Sequence, residues 1–304
     1  MATVNHPCCL RLLALCMTAR PQLVTSFLPL GCLLSYLHKH GGPYSIDTSV
    51  ITAEIILNWS GQIASGMAYL ASRGIIHRDL AARNVLVETP EQIKITDFGL
   101  AKCIEDTGGE YTAKGGLMPV KWLAIECIKK RIFSSKSDVW AYGVTLWEIF
   151  TLGRRPFERI HTRHLIHHLE KGLRLAQPLT TSLELYQLMI DCWLEDPEAR
   201  PSFEDLFQRI CYMQLEPLTY LNFRQQGRSR LWSDSGFTAS SSGYIATAPN
   251  TATTNTVNTS TMMKSLSEAS APSTTASSPN YQEREEVEEG ESNDPLSIHP
   301  FAQQ

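Results

Sequence analysis

The 304 residues carry 27 Lys and Arg against 31 Asp and Glu, a net charge of −4 that supplies no basic field of the kind nucleic acid requires. The length suffices for a large core, but the last quarter of the chain lacks the apolar side chains to join one. Eight cysteines, at positions 8, 9, 16, 32, 103, 127, 192 and 211, show no metal-ligand spacing.

Along the chain, apolar strands are expected at residues 10–16 and 22–27. The run 12–17 behind Arg11 is shorter than the apolar stretch of about 7–15 residues in a signal peptide, and Arg20-Pro21 follows where a cleavage site would stand. Residues 21–37 carry no charge, but Pro29 and Gly31 interrupt them and they fall short of a membrane span of about 20 residues. Both segments read as buried β-strands, followed by a short helix over 33–38. Gly41-Gly42-Pro43 opens a loop.

Residues 54–72 read as a helix, with Ile55, Trp59, Ile63 and Met67 on a core face. A nearly all-apolar helix over 137–151 implies burial on every side. Helices over 182–194 and 203–213 follow, separated by Asp196-Pro197 and Pro201. From 233 to 278 nearly half the residues are Ser or Thr, too polar to offset the entropy of ordering, so disorder is expected. Glu283, Glu285, Glu286, Glu288 and Glu289 then form an acidic, self-repelling block.

Two motifs carry the chemistry. His77-Arg78-Asp79-Leu80-Ala81-Ala82-Arg83-Asn84 matches the catalytic loop H-R-D-L-x-x-x-N of protein kinases, and Asp97-Phe98-Gly99 matches their magnesium-binding D-F-G. A lone D-F-G recurs by chance. Both motifs in this order, separated by strand-like Val85-Leu86-Val87 and Ile93-Lys94-Ile95, are highly specific.

Ala81-Ala82-Arg83 and Pro119-Val120-Lys121-Trp122 resemble the tyrosine-kinase versions of their motifs. Leu23-Val24-Thr25-Ser26-Phe27-Leu28-Pro29-Leu30-Gly31-Cys32-Leu33-Leu34 resembles the hinge of the epidermal growth factor receptor (ErbB) family. So do Asp97-Phe98-Gly99-Leu100-Ala101-Lys102, Glu110-Tyr111-Thr112-Ala113-Lys114-Gly115-Gly116 and Glu216-Pro217-Leu218-Thr219-Tyr220-Leu221. The resemblance covers residues 1–223. It implies a mainly α (α+β) fold: an N-lobe remnant of last strands and hinge over 1–30, a kinase C-lobe over 31–222, and a disordered tail over 223–304. The full receptor would hold this domain on the cytoplasmic side of the plasma membrane, a reducing compartment that leaves the thiols free and the sequons at Asn58 and Asn258 idle.

The resemblance also assigns roles. Asp79 accepts the substrate tyrosine's hydroxyl proton and orients its oxygen, Arg83 braces Asp79 and the phenol, and Asn84 and Asp97 hold Mg2+ for ATP. Gly99 is expected to supply backbone freedom at its turn. Thr25 stands as gatekeeper, the backbone of Ser26 and Leu28 meets the adenine edge, and Leu86 is its floor. Cys32 lies on the pocket lip at a helix N-terminus, where thiolate is favoured. His77, Arg78, Phe98, Glu126, Asp138 and Arg200 are scaffolding. Arg78 is to pair with phosphorylated Tyr111, Glu126 with Arg200 in a buried bridge, and Asp138 with backbone amides of the catalytic loop. Tyr244 and Tyr281 are candidate phosphorylation sites that dock adaptor proteins.

No glycine-rich loop, Val-Ala-Ile-Lys strand or helix-C glutamate occurs in the 304 residues. Against the family pattern Met1 falls near the end of helix C, so the expectation is an N-terminally truncated kinase that transfers little or no phosphate. Leu10, Leu12, Leu13 and Leu15 should then lack partners. The alternative is a non-catalytic C-lobe that activates a partner ErbB-type kinase domain through Leu183, Gln187 and Ile190. Leu183 and Ile190 read equally as ordinary core.

Overall fold

The computed structural model describes residues 4–18, 20–41, 50–104, 109–116 and 118–221. The Ser/Thr-rich stretch, the acidic block, Tyr244, Tyr281, Asn258 and most of the loop after Gly41 lie outside the described residues. Strands β1 (Leu12–Cys16) and β2 (Gln22–Thr25) pair antiparallel, with Leu15 opposite Leu23. They are not the buried strands expected: Leu13, Leu15, Leu23 and Val24 are exposed, because a two-stranded ribbon covers neither of its own faces. Leu10 is the exception. It is buried, and its N–H donates to the Ile95 carbonyl at 2.8 Å.

Helix α1 (Leu33–Gly41) runs three residues beyond the expected end, with His38, Lys39 and His40 in its last turn where cations suit the helix dipole. Helix α2 (Ala53–Ser72) starts at Thr52, whose hydroxyl accepts from the Ile55 N–H. Trp59, Ile63 and Met67 are buried as their spacing implies, and Ile55 is half-buried. Strands β3 (Ile75–Ile76), β4 (Val85–Thr89), β5 (Gln92–Ile95), β6 (Lys102–Cys103) and β7 (Tyr111–Thr112) are short. Helix α3 (Ile125–Lys130) and strand β8 (Ile132–Phe133) follow. β3 pairs with β6, β4 with β5 and β7 with β8, all antiparallel.

Helix α4 (Ser135–Phe150) is the axis of the domain. A capping box between Ser134 and Ser137 starts it, and residues 137–150 are all buried. Gly143 admits the close approach this needs: a Cβ there would stand 2.7 Å from Trp193 Nε1 and 2.8 Å from Cys192 Cβ. Helices α5 (Thr162–Glu170), α6 (Leu183–Cys192), α7 (Phe203–Met213) and α8 (Pro217–Tyr220) complete the mainly α architecture. Ser182 and Ser202 cap α6 and α7, so both helices begin where sequence places them. No helix among the described residues is long and apolar enough to cross a membrane.

Candidate active site

The catalytic-loop residues follow β3 and end in a turn of 3-10 helix, Ala82–Asn84. His77 is fully buried. Its Nε2 donates to the Thr96 carbonyl at 2.9 Å, and its Nδ1 accepts from the Asp79 N–H at 3.2 Å. Those partners require a neutral ring, and burial holds the His77 pKa below its usual value. The ring stands 5.3 Å from that of Phe98. Arg83 Nη2 meets Asp79 Oδ1 at 2.5 Å, which draws the two proposed chemical groups together.

Helix α4 holds this loop at two points. Near its start, Asp138 accepts from the His77 N–H at 2.7 Å and the Arg78 N–H at 2.9 Å, the amide contacts expected of it. Burial pushes its carboxyl up to about 7, against the pull of those two amides. Ten residues on, a rise of about 15 Å, Glu148 Oε2 accepts from the Ala82 N–H at 3.0 Å and from Trp122 Nε1 at 2.9 Å. Burial raises its carboxyl to about 7 as well. The Trp122 ring in turn lies 4.4 Å from the Arg83 guanidinium. Sequence reading missed Glu148. The available signal was a lone carboxylate inside the apolar run from Val139 to Phe150.

The β4–β5 hairpin closes the twelve-residue gap between Asn84 and Asp97. Val85 pairs with Ile95, and the Thr96 N–H donates to the Asn84 carbonyl at 2.9 Å. Asn84 Nδ2 donates to the Asp79 carbonyl at 2.8 Å, which assigns the amide's orientation and leaves its oxygen without a hydrogen bond among those of the described residues. Asp97 is exposed. The left-handed backbone at D-F-G belongs to Asp97 (φ 59°) and not to Gly99 as expected, and Arg78 shares it (φ 71°). Non-glycine residues hold that region only when their surroundings impose it, and such residues cluster at functional sites. What Gly99 offers is room: a Cβ there would stand 3.1 Å from Asp97 Oδ1. The oxygens of Asn84 and Asp97 are hard ligands of the kind that suit a cation such as magnesium. Among the described residues no cluster of three or more His, Cys, Asp or Glu is placed to hold a metal.

Among the residues expected to meet adenine, Leu86 forms a bridge with Cys32, and the Val87 N–H donates to the Gly31 carbonyl at 2.9 Å. This ties the hinge to β4. Cys32 immediately precedes α1, half-buried, with Sγ 3.1 Å from Ser35 Oγ. Thr25 is half-buried at the end of β2, Ser26 is exposed and Leu28 is buried. A cleft of 420 Å³ opens beside Leu10, Leu13, Ser26, Glu88 and Lys94; of the five proposed ATP residues only Ser26 lines it.

The scaffolding pair is bidentate: Arg200 Nη1 and Nη2 meet Glu126 Oε1 and Oε2 at 2.6 and 2.9 Å. Unmodified Tyr111 already lies 4.7 Å below the Arg78 guanidinium, which also stands 4.4 Å from the Phe133 ring and donates through Nη1 to the Leu100 carbonyl at 3.0 Å. In the proposed donor face, Leu183 is 67% exposed, which removes the core reading for it. Gln187 is exposed and Ile190 half-buried against the core.

Comparison with known proteins agrees with this geometry. The family model described as protein tyrosine and serine/threonine kinase matches residues 1–210. The epidermal growth factor receptor of Apis mellifera is 49% identical over 231 residues, covering 76% of this chain and 17% of the receptor. Receptor tyrosine-protein kinase erbB-4 of Homo sapiens is 46% identical with the same coverage. The epidermal growth factor receptor of Drosophila melanogaster is 48% identical over 221 residues, 73% of this chain and 15% of the receptor. The chain thus spans only 15–17% of the length of these relatives. It belongs to the protein tyrosine and serine/threonine kinase family, and within that family it is of the ErbB receptor type.

Proposed function

We propose that these residues are the catalytic segment of an ErbB-type receptor protein-tyrosine kinase, which transfers the γ-phosphate of ATP to tyrosine hydroxyls of proteins. The observation that carries this reading is the Asp79–Arg83 pair, with Asn84 bonded to the Asp79 backbone. Asp79 takes the proton of the incoming phenol and aims its oxygen. Arg83 fixes the carboxylate, and its buried Nη1, unpartnered among the described residues, remains for the substrate oxygen. Asn84 and Asp97 hold magnesium, which when bound neutralises phosphate charge. Thr25, Ser26, Leu28, Cys32 and Leu86 form the adenine side. In the full receptor this domain faces the cytoplasm, and Tyr111, Tyr244 and Tyr281 are modified, the tail pair to dock adaptors.

The 304 residues by themselves hold no glycine-rich loop and no Lys–Glu pair to position the phosphates. Incubated with poly-Glu-Tyr and magnesium-ATP, this polypeptide is expected to give background incorporation. Joined behind the N-lobe of human erbB-4, residues 10–221 should reach a turnover within about 1–100 s⁻¹, and Asp79→Asn should abolish it. A folded chimera that binds ATP yet transfers no phosphate overturns the catalytic reading. A 304-residue chain that turns over at such rates overturns the inactive one.

The exposure of Leu183 supports a second reading, in which this C-lobe activates a partner ErbB-type kinase domain by contact. The two readings are compatible in one receptor. They separate when the polypeptide is tested alone.

A further inference from the structure

A cleft of 490 Å³, with Asp79 absent from its lining, lies between the end of α4, the loop after it, α5 and residues 173–179. Its walls are apolar, with Trp147, Phe150, Phe157 and Leu175 among them. Its rim is cationic: Arg154 and Arg159 are exposed there, and Glu158 is the one carboxylate in the lining. Arg174 also lines it, but its guanidinium is occupied by the carbonyls of Leu169, Leu173 and Trp193. Residues 152–174 carry six Lys and Arg against two Glu, a net of +4 in a chain whose total is −4. None of Asp79, Arg83, Asn84 and Asp97 lines the cleft.

We propose that the cleft receives the acidic stretch 281–291 of the same chain. Two observations select that occupant over others. The first is charge. Residues 281–304 carry seven Asp and Glu against one Arg, a net of −6 that makes them the chain's concentrated anion. Val287 lies amid the glutamates and Tyr281 precedes them, so the segment offers apolar groups to the walls as well as carboxylates to the rim. The second is position. Leu221, the last described residue, forms a bridge with Thr181, and Pro178 and Leu179 just before Thr181 line the cleft. The chain therefore leaves the domain beside the cleft's mouth. A coil of about 60 residues has a root-mean-square span of roughly 40 Å, enough to return. Tethering of this kind supplies an effective concentration of about a millimolar without any partner.

The test uses the full chain and a glutamate-specific protease. Glu268, in the Ser/Thr-rich stretch, is the internal reference, and cleavage after Glu283 to Glu291 is the signal. At low salt, cleavage of the acidic stretch relative to Glu268 should slow several-fold. It should recover at about 0.5 M salt, where exposed charges are screened within a few ångströms. Arg154→Glu/Arg159→Glu should remove the protection. The milder Arg154→Gln/Arg159→Gln should halve it, so that a reversal variant that fails to fold does not end the test. A ratio that ignores both salt and these variants overturns the proposal. Protection that vanishes on dilution assigns the cleft to a second copy's tail and also overturns it. So does unchanged cleavage together with Arg154- and Arg159-dependent binding to phosphatidylserine vesicles, which would make the surface a lipid contact.

Discussion

The guanidinium of Arg83 rests 4.4 Å from the Trp122 ring while one of its nitrogens holds Asp79. Trp122 is itself fixed by Glu148, whose single Oε2 also receives the Ala82 N–H. A buried carboxylate in the central helix thereby sets both the backbone before Arg83 and the aromatic platform beneath its guanidinium. The arrangement runs from α4 through Trp122 to Arg83 and ends at the proposed base.

Trp122→Phe keeps the platform but deletes the indole donor. Glu148 Oε2 would then keep only the Ala82 amide in a site with almost no access to water. Losing one partner of a buried polar group costs about 1–3 kcal/mol. Urea denaturation should show an unfolding free energy lowered by that amount, through a lower midpoint with an unchanged slope. An unaltered midpoint would mean that the Glu148 contact carries no weight.

Glu148 also predicts a pH dependence. Its folded pKa, about 7, lies above the carboxylate's ordinary value of 4.5 because burial penalises the charge. The native state therefore holds a proton that the unfolded state releases. This contribution is complete below about 4.5 and disappears as pH rises through about 7. Glu148→Gln preserves an oxygen for both donors and cannot titrate. Thermal unfolding from pH 5 to 8 should shift steadily in favour of the variant relative to the wild type. Parallel curves would show that Glu148 is ionised throughout.

Glu126→Ala tests the bidentate bridge. It leaves Arg200, whose side chain is fully buried, with backbone carbonyls of Leu194, Lys136 and Glu195 but no counter-charge. Breaking one side of a buried pair costs about 3–5 kcal/mol. Chemical denaturation of Glu126→Ala should show a loss of this size, and Glu126→Ala/Arg200→Met should recover part of it.

The parts of the site that local patterns encode were readable from sequence. Ile63 and Met67 announce their helix by spacing, Asp196-Pro197 and Pro201 mark the break before its neighbour, and the two kinase motifs carry their own order. What stayed hidden depends on residues distant in the chain. Glu148 and Ala82 meet only because α4 runs behind the catalytic loop. The left-handed backbone falls on Asp97 and Arg78, side chains that disfavour it, so residue preference pointed to Gly99 instead. The apolar runs of β1 and β2 correctly indicate strands, but an apolar run by itself cannot say whether another layer covers it.

The exposure pattern of α6 sharpens the test of the non-catalytic reading. Ile190 is half-buried against the core, so a charge placed there can unfold the domain and say nothing about partners. Leu183 sits at the first turn of α6, 67% exposed, where Leu183→Arg alters the surface with little structural cost. Gln187, four residues on, donates to Asp191 at 2.9 Å and keeps that part of the face polar. A contact centred on Leu183 should therefore be weak and should need crowding to be seen. When this chain and an intact ErbB-type kinase domain are bound together on vesicles, the wild type should stimulate phosphorylation measurably. Leu183→Arg should remove the stimulation while leaving the far-ultraviolet helical signal and the unfolding midpoint unchanged. Stimulation that survives Leu183→Arg would place the contact elsewhere, and no stimulation by the wild type would sink the donor reading for this chain.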